Sequence, residues 1–203
     1  MKKILLLLGL LLWASISQAQ GISVPCAQRY NLDSDCLNSL GILGKFNLFR
    51  KYLDESRERS HLIGKDSILA TNVASYPDSD LNVDAWTRFL YQQNGMNFYA
   101  VYITTKILRD YDSIGLENVA QHEICHIELG HFTRKLTDSL SATEMEFKAL
   151  MCSLEYLGVD KAKVFLKEFW FGQLPEEESE EKINVLVVLL QAIILEKEIN
   201  SDE

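Results

Sequence analysis

Three polar residues in the middle of the chain, His122, Glu123 and His126, have the types and the spacing that metal-assisted hydrolysis needs. In a helix, positions i and i+4 lie only about 40° apart around the axis, so both imidazoles leave one face, one turn apart. A single zinc ion can accept a nitrogen from each of them. Glu123 can reach a metal-activated water without binding the metal itself. The alternative is a solvated helix face that carries these three residues by chance.

Secondary-structure signals place this pattern on a helix between a strand and a second helix. The aromatic and β-branched residues from Asn97 to Leu108 predict a strand. A helix is expected from Asp112 to Gly130, where glycine is a natural C-terminal stop. Ser141 and Glu144 have the spacing of a capping box, and they predict a further helix that ends near Gly158.

A catalytic zinc ion usually binds a third side chain and keeps one position for water. His131 follows His122 by nine residues, which on a continuous helix places it about 180° away, on the wrong face. The next helix offers Glu146, with Ala149 three residues later as a small side chain that permits close helix packing. An exposed glutamate with no metal role is the alternative for Glu146.

Two further glutamates of that helix suit other roles. Glu144 occupies the N3 position of the capping box, where its carboxylate is expected to bind the backbone at Ser141. Glu155 follows Glu146 by nine residues, so the two side chains lie about 180° apart around the helix. Glu146 is therefore the preferred third ligand of the three.

Apolar residues at helical spacing predict three more helices, over residues 45–59, 161–171 and 182–199. The last of these is apolar nearly all round, which indicates either a buried core helix or a partner surface. An acidic linker, residues 176–181, precedes it and suits a helix N-terminus. Residues 21–43 are polar and are expected to form an irregular N-terminal cap.

The N-terminal segment, residues 1–20, predicts a secretory signal peptide. Two lysines precede an apolar run from Ile4 to Trp13, and Ser17-Gln18-Ala19 fits a cleavage site. The apolar run is too short to span a bilayer, although a short anchor is the alternative. The mature protein is expected to be secreted or periplasmic, with no stable membrane insertion.

Composition excludes some classes of partner and narrows the compartment. The formal net charge is −9 and becomes −11 when the two leader lysines are removed, so nucleic acid is not an expected partner. The four cysteines fit an oxidising compartment and allow three pairings. The short separation of Cys26 and Cys36 predicts a disulfide between them. Cys125 and Cys152 could then tie two parts of the site together, with a buried, unpaired Cys125 as the alternative.

The stretch from Asn97 to Phe169 resembles the gluzincin metallopeptidases of the HtpX and CAAX-prenyl-endopeptidase type. It contains an aromatic strand (NFYAVYITTKIL), an HExxHxxxxH helix (HEICHIELGH) and an ExxA helix that continues into LEYLGVDKA. The resemblance implies an α+β fold: a mostly helical zincin-like domain over residues 21–203, with a small mixed sheet and an HExxH active-site helix. The short loop between the two motifs is closer to ImmA/IrrE-type zinc peptidases, which are the second choice.

The resemblance makes His122, His126 and Glu146 the ligands of Zn2+ and Glu123 the general base that activates water. The expected function is a secreted or periplasmic zinc metalloendopeptidase that hydrolyses peptides or unfolded proteins. The strand 97–108 could take a peptide substrate in extended form along its edge, although its aromatic residues are equally well explained as core. Three residues are candidates for stabilising the oxyanion: His131, Arg134 and Tyr156.

Departures from the family keep a second function open. Leu150 stands where the family usually has an aspartate, so a carboxylate that would support the ligands is missing. Leu174-Pro175 replaces the His-Pro of many relatives, and the family's membrane helices are absent from the sequence. The alternative function is therefore a non-catalytic zincin-fold binding or chaperone-like module of the cell envelope.

Overall fold

Helices surround one small sheet in the computed structural model, which describes residues 32–60, 66–74, 85–132 and 140–201. The described residues are mostly helical with a mixed three-stranded sheet, as the predicted α+β class requires. In chain order the elements are α1 (Ser34–Ser39), α2 (Leu43–Arg59), β1 (Asp66–Ala74), β2 (Ala85–Gln93), β3 (Met96–Thr104), α3 (Thr105–Asp110), α4 (Ser113–Glu128), α5 (Ala142–Leu157), α6 (Val159–Phe165) and α7 (Glu176–Ser201).

The sheet has the order β1-β3-β2, with β3 parallel to β1 and antiparallel to β2. Asn94 and Gly95 connect β2 to β3, and both have positive φ, 52° and 79°, which gives the twist that a two-residue hairpin needs. The strand predicted to reach Leu108 ends at Thr104, because the Thr104 hydroxyl accepts the N–H of Ile107 and begins α3.

The central position of β3 rules out the prediction that a substrate lies along the edge of the strand 97–108. Because β3 pairs with a strand on each side, its edges cannot accept a substrate backbone. Among the described residues, the edge strand beside α4, the helix that carries His122 and His126, is β2.

The two helices that carry the candidate ligands begin and end at recognisable caps. Asp112 begins α4 by accepting the N–H of Gly115. The α4 helix ends at Glu128, two residues before the predicted end. The predicted capping box of α5 is confirmed: the Ser141 hydroxyl accepts the N–H of Glu144, and the Glu144 carboxylate accepts the N–H of Ser141.

Several predicted boundaries differ from the structure. Residues 34–39 form a helix rather than an irregular segment, because Asp33 caps them. The predicted helix 161–171 is the short α6 followed by a π-helical turn, Leu166–Trp170. The acidic segment predicted as a linker is the first part of α7, which runs over 176–201 rather than 182–199.

Apolar side chains of the described residues form two clusters. The first fills the space between the sheet and helices α1 to α4. The second packs α5, α6 and the π-helical turn against one face of α7, through residues such as Ile183, Val187 and Leu190. The opposite face of α7 is exposed at Val185 and Val188, so the helix is only half buried.

No helix among the described residues is long and apolar enough to cross a membrane. The predicted signal peptide, together with Cys26 and Arg134, lies outside the described residues. The proposed Cys26–Cys36 disulfide therefore stays a prediction.

Candidate metal centre

Helices α4 and α5 bring three candidate ligand atoms together. His122 and His126 project from α4 with their Nε2 atoms 3.0 Å apart. The carboxylate of Glu146, on α5, lies 3.2 Å from Nε2 of His122 and 3.5 Å from Nε2 of His126. Three lone-pair donors from two helices thus converge on one point.

The spacing and chemistry of these donors fit a tetrahedral zinc ion. Ligands bound to zinc at about 2.0–2.1 Å in a tetrahedron lie roughly 3.3 Å from one another. Nε2 of His122 lies 3.0 Å from Nε2 of His126 and 3.2 Å from Oε2 of Glu146, close to that value, and His126 lies 3.5 Å from the other oxygen of Glu146, Oε1. Contacts from His122 and then His126 hold the pKa of the Glu146 carboxyl well below its usual range, so Glu146 is an anion ready to bind a cation.

Glu123 lies beside this cluster and is only 2% exposed. The Thr87 hydroxyl, from the edge strand β2, donates a 2.7 Å hydrogen bond to Oε2 of Glu123. Burial raises the pKa of Glu123, although His122 and His126 oppose the shift. A carboxylate with a raised pKa is a better proton acceptor near neutral pH, which is the property a general base needs.

His131 lies against the cluster, not on the far face of the helix as continuous helical spacing predicts. The chain leaves α4 after Glu128 and turns back at Gly130, where φ is +69°. This turn brings Nδ1 of His131 to 2.9 Å from Nδ1 of His126. His131 therefore contacts the ring nitrogen of His126 that faces away from the other two candidate ligands, and is not one of the three converging donors.

The protonation of His131 follows from this contact. Burial, followed by the neighbouring His126, lowers the pKa of His131 to about 4, so the ring is neutral near pH 7. When His126 binds a cation through Nε2 it carries its proton on Nδ1 and can donate that proton to Nδ1 of His131. His131 then holds its own proton on Nε2, a buried atom with no hydrogen-bond partner among the described residues.

A disulfide between Cys125 and Cys152 links the two ligand-bearing helices. The alternative of a buried, unpaired Cys125 is therefore wrong. The helices are also joined by a 3.1 Å hydrogen bond from Asn118 to Ser153, and the fully buried Ala149 is the small residue expected near Glu146. The disulfide therefore helps to fix the relative positions of the three candidate ligand side chains.

A cavity of about 560 Å³ opens at the cluster. Its walls combine the candidate ligands and Glu123 with Trp86 and Thr87 of β2, Phe132, Met145 of α5, and Trp170 at the end of the π-helical turn. The cavity thus gives a ligand access to all three donors and to the buried carboxylate.

The other sequence candidates have different positions. Tyr156 donates to the Glu128 carboxylate in a separate cavity, so it is not an oxyanion donor here. Glu155 pairs with Lys197. Leu150, 2% exposed, belongs to the second apolar cluster. Thr87 was not anticipated, because no local pattern relates it to a residue 36 positions later.

Comparison of the chain with known protein families, with curated proteins and with solved structures finds no match. What the site can do must therefore be judged from its own residues.

Proposed function

We propose that the protein is a secreted or periplasmic zinc-dependent metallopeptidase of the gluzincin type. The observation that carries the proposal is the convergence of His122, His126 and Glu146 on one point, with the buried Glu123 carboxylate beside them. The Cys125–Cys152 disulfide supports an oxidising compartment. The cavity at the cluster gives a peptide access to the groups that would act on it.

The two histidines and Glu146 would hold the zinc ion, with His131 orienting His126 through its Nδ1 atom. Zinc in such a site supplies Lewis-acid chemistry, which polarises a carbonyl group and acidifies water. Glu123 accepts the proton of the attacking water and then delivers it to the leaving amide nitrogen. The C–O bond forms when the water adds to the carbonyl carbon, and the C–N bond breaks afterwards, when the nitrogen receives the proton and leaves as an amine. Thr87 holds one carboxylate oxygen of Glu123 in place for both proton transfers.

The edge of β2 that pairs with no described strand would hold the substrate backbone. Trp86 and Thr87 of this strand line the cavity, and the backbone beyond them continues along the sheet edge. An extended peptide can add to such an edge through main-chain hydrogen bonds. The substrate is thus a peptide or an unfolded segment of a protein, whose backbone is free to extend along the edge.

A non-catalytic binding or chaperone-like module is the second candidate. Leu150 favours it, because an apolar residue packed in the core cannot support the ligands as an aspartate would. The buried, hydrogen-bonded Glu123 weighs against it, since a binding module has no need of a carboxylate with a raised pKa.

Metal analysis and hydrolysis of unfolded casein test the proposal. Purified mature protein should contain about one zinc ion per chain and should cleave casein. Glu123→Gln should keep the zinc but lose about 10²–10⁴-fold in rate, because the amide cannot accept the proton. Zinc binding without hydrolysis in the wild type would favour the binding module. A Glu123→Gln variant with the wild-type rate would overturn the mechanism.

A further inference from the structure

A second groove, of about 640 Å³, lies on the other side of Glu146 from the metal-centre cavity, between α5 and α7. The two spaces share two lining residues, Glu146 and Trp170. Because both spaces border Glu146 and Trp170, they adjoin each other, and a chain at the metal centre that passes these two side chains reaches the groove.

The walls of the groove are apolar and exposed. Phe147 of α5 is 45% exposed, Trp170 is 47% exposed and Val185 of α7 is 63% exposed. Contiguous large apolar side chains on a protein surface commonly mark a binding site, because their exposure to water is unfavourable. The groove therefore fits a large apolar side chain.

One rim of the groove is strongly acidic. Residues 176–182 contain five glutamates and one lysine, and Glu178 and Glu181 border the groove. The single cation, Lys182, is paired with Glu178 at 2.7 Å, so its charge is already compensated. The remaining carboxylates create a negative field at the groove mouth, which favours a cationic group on the occupant.

We propose that this groove is a specificity subsite that takes a large apolar side chain of a polypeptide, followed by a lysine or arginine at the acidic rim. The proposal rests on the proposed function, because continuity with the metal centre identifies the occupant as the substrate chain. Apolar contact with Val185 and Phe147 supplies the affinity, and the carboxylates at the rim select the charge.

Peptide binding to the full mature chain tests the subsite. The probes are two fluorescein-labelled ten-residue peptides that differ only in a central Leu-Lys or Asp-Glu pair. Fluorescence anisotropy with zinc-loaded Glu123→Gln protein gives both dissociation constants without cleavage. The Leu-Lys peptide should bind at least about tenfold more tightly, and more weakly as salt is added.

Two pairs of variants in this background locate the effect. Val185→Asn removes the apolar contact without adding charge and should weaken binding of the Leu-Lys peptide, whereas Val188→Asn should not, because Val188 is equally exposed (65%) on the same helix but does not line the groove. Glu181→Lys should reverse the charge preference and Glu180→Lys should not. The two pairs are independent, so a misfolded member of one leaves the other decisive.

The outcomes separate the subsite from the proposed function. Equal effects of Val185→Asn and Val188→Asn, or no preference between the peptides, would overturn the subsite whether or not the wild type cleaves casein. A groove-dependent preference in a protein whose wild type shows no hydrolysis would support the subsite and overturn the peptidase.

Discussion

Both ring nitrogens of His126 are engaged, one facing the candidate ligands and the other facing His131. We expect His131→Leu to lower zinc affinity about 10–100-fold, because the acceptor that fixes the orientation of His126 is removed. His131→Asn should restore part of the affinity, since its amide oxygen can accept the same proton. Competition with a chromophoric chelator measures the affinities. Equal affinity in the wild type and His131→Leu would show that the contact does not position the ligand.

Thr87 holds the carboxylate of Glu123 with one hydrogen bond. Thr87→Val keeps the shape of the side chain but loses the donor, so casein hydrolysis should slow by about tenfold while the zinc content stays unchanged. Thr87→Ser keeps the hydroxyl and should retain most of the rate. A Thr87→Val variant with the wild-type rate would show that Glu123 is held by its packing alone.

The choice among three glutamates of α5 can be tested directly. Only Glu146 contacts the two histidines; Glu144 is engaged in the capping box and Glu155 pairs with Lys197. Glu146→Gln should therefore weaken zinc binding far more than Glu144→Gln or Glu155→Gln. Zinc titration of the three variants measures the three affinities. If Glu146→Gln bound zinc as tightly as the wild type, Glu146 would not be the third ligand.

At the scale of elements, the disulfide keeps α4 and α5 in register across the site. Cys125 and Cys152 are separated by 27 positions, and closing a loop of that length stabilises the folded chain by about 3.5 kcal/mol. Joint replacement of both cysteines by alanine should lower the free energy of unfolding in urea by about that amount and weaken zinc binding. Reduction of the wild type should give the same shift, and coincident urea midpoints would contradict the role.

Elements whose signals are local could be predicted from the sequence. The capping box of Ser141 and Glu144 and the turn at Asn94-Gly95 depend on residues within four positions of each other, and the structure contains both. Helical periodicity fails where a helix stops. It places His131 on the far face only if α4 continues, and the chain instead reverses at Gly130.

The site itself was predictable in part, for a related reason. In any helix, the i, i+4 spacing of His122 and His126 puts both side chains on one face, so their proximity could be predicted from the sequence. The approach of Glu146 depends on how α5 packs against α4, and the contact from Thr87 depends on how β2 packs against α4. The spacing of Glu146 and Ala149 pointed to the first of these contacts, whereas no spacing along the chain relates Thr87 to Glu123.

At the scale of the whole molecule, the candidate metal centre lies between the two apolar clusters. His122 and His126 come from the helix that packs in the first cluster, whereas Glu146 comes from a helix of the second. Zinc would therefore act as a second cross-link, parallel to the disulfide. A metal in this position should stabilise the association of the two clusters.

Chelation tests that consequence. Binding at 1,000 times the dissociation constant stabilises a protein by about 4 kcal/mol, so removal of zinc with EDTA should lower the thermal midpoint by on the order of 10 °C. Scanning calorimetry measures the shift. Glu146→Gln is the control, because a weakened site should respond less to EDTA. Identical midpoints with and without EDTA would mean that no metal joins the clusters.

The edge of β2 that no described strand covers has a consequence for the behaviour of the protein in concentrated solution. Phe89, Leu90 and Tyr91 on this strand are 38–44% exposed, next to backbone groups that no described strand covers. An edge that can accept an extended peptide can equally template a strand from another molecule, which is the first step of fibril growth. Arg88, an exposed charge beside this apolar run, is then a gatekeeper against aggregation. Under the proposed function, substrate bound along this edge would cover the same backbone groups and so limit self-association of the protein.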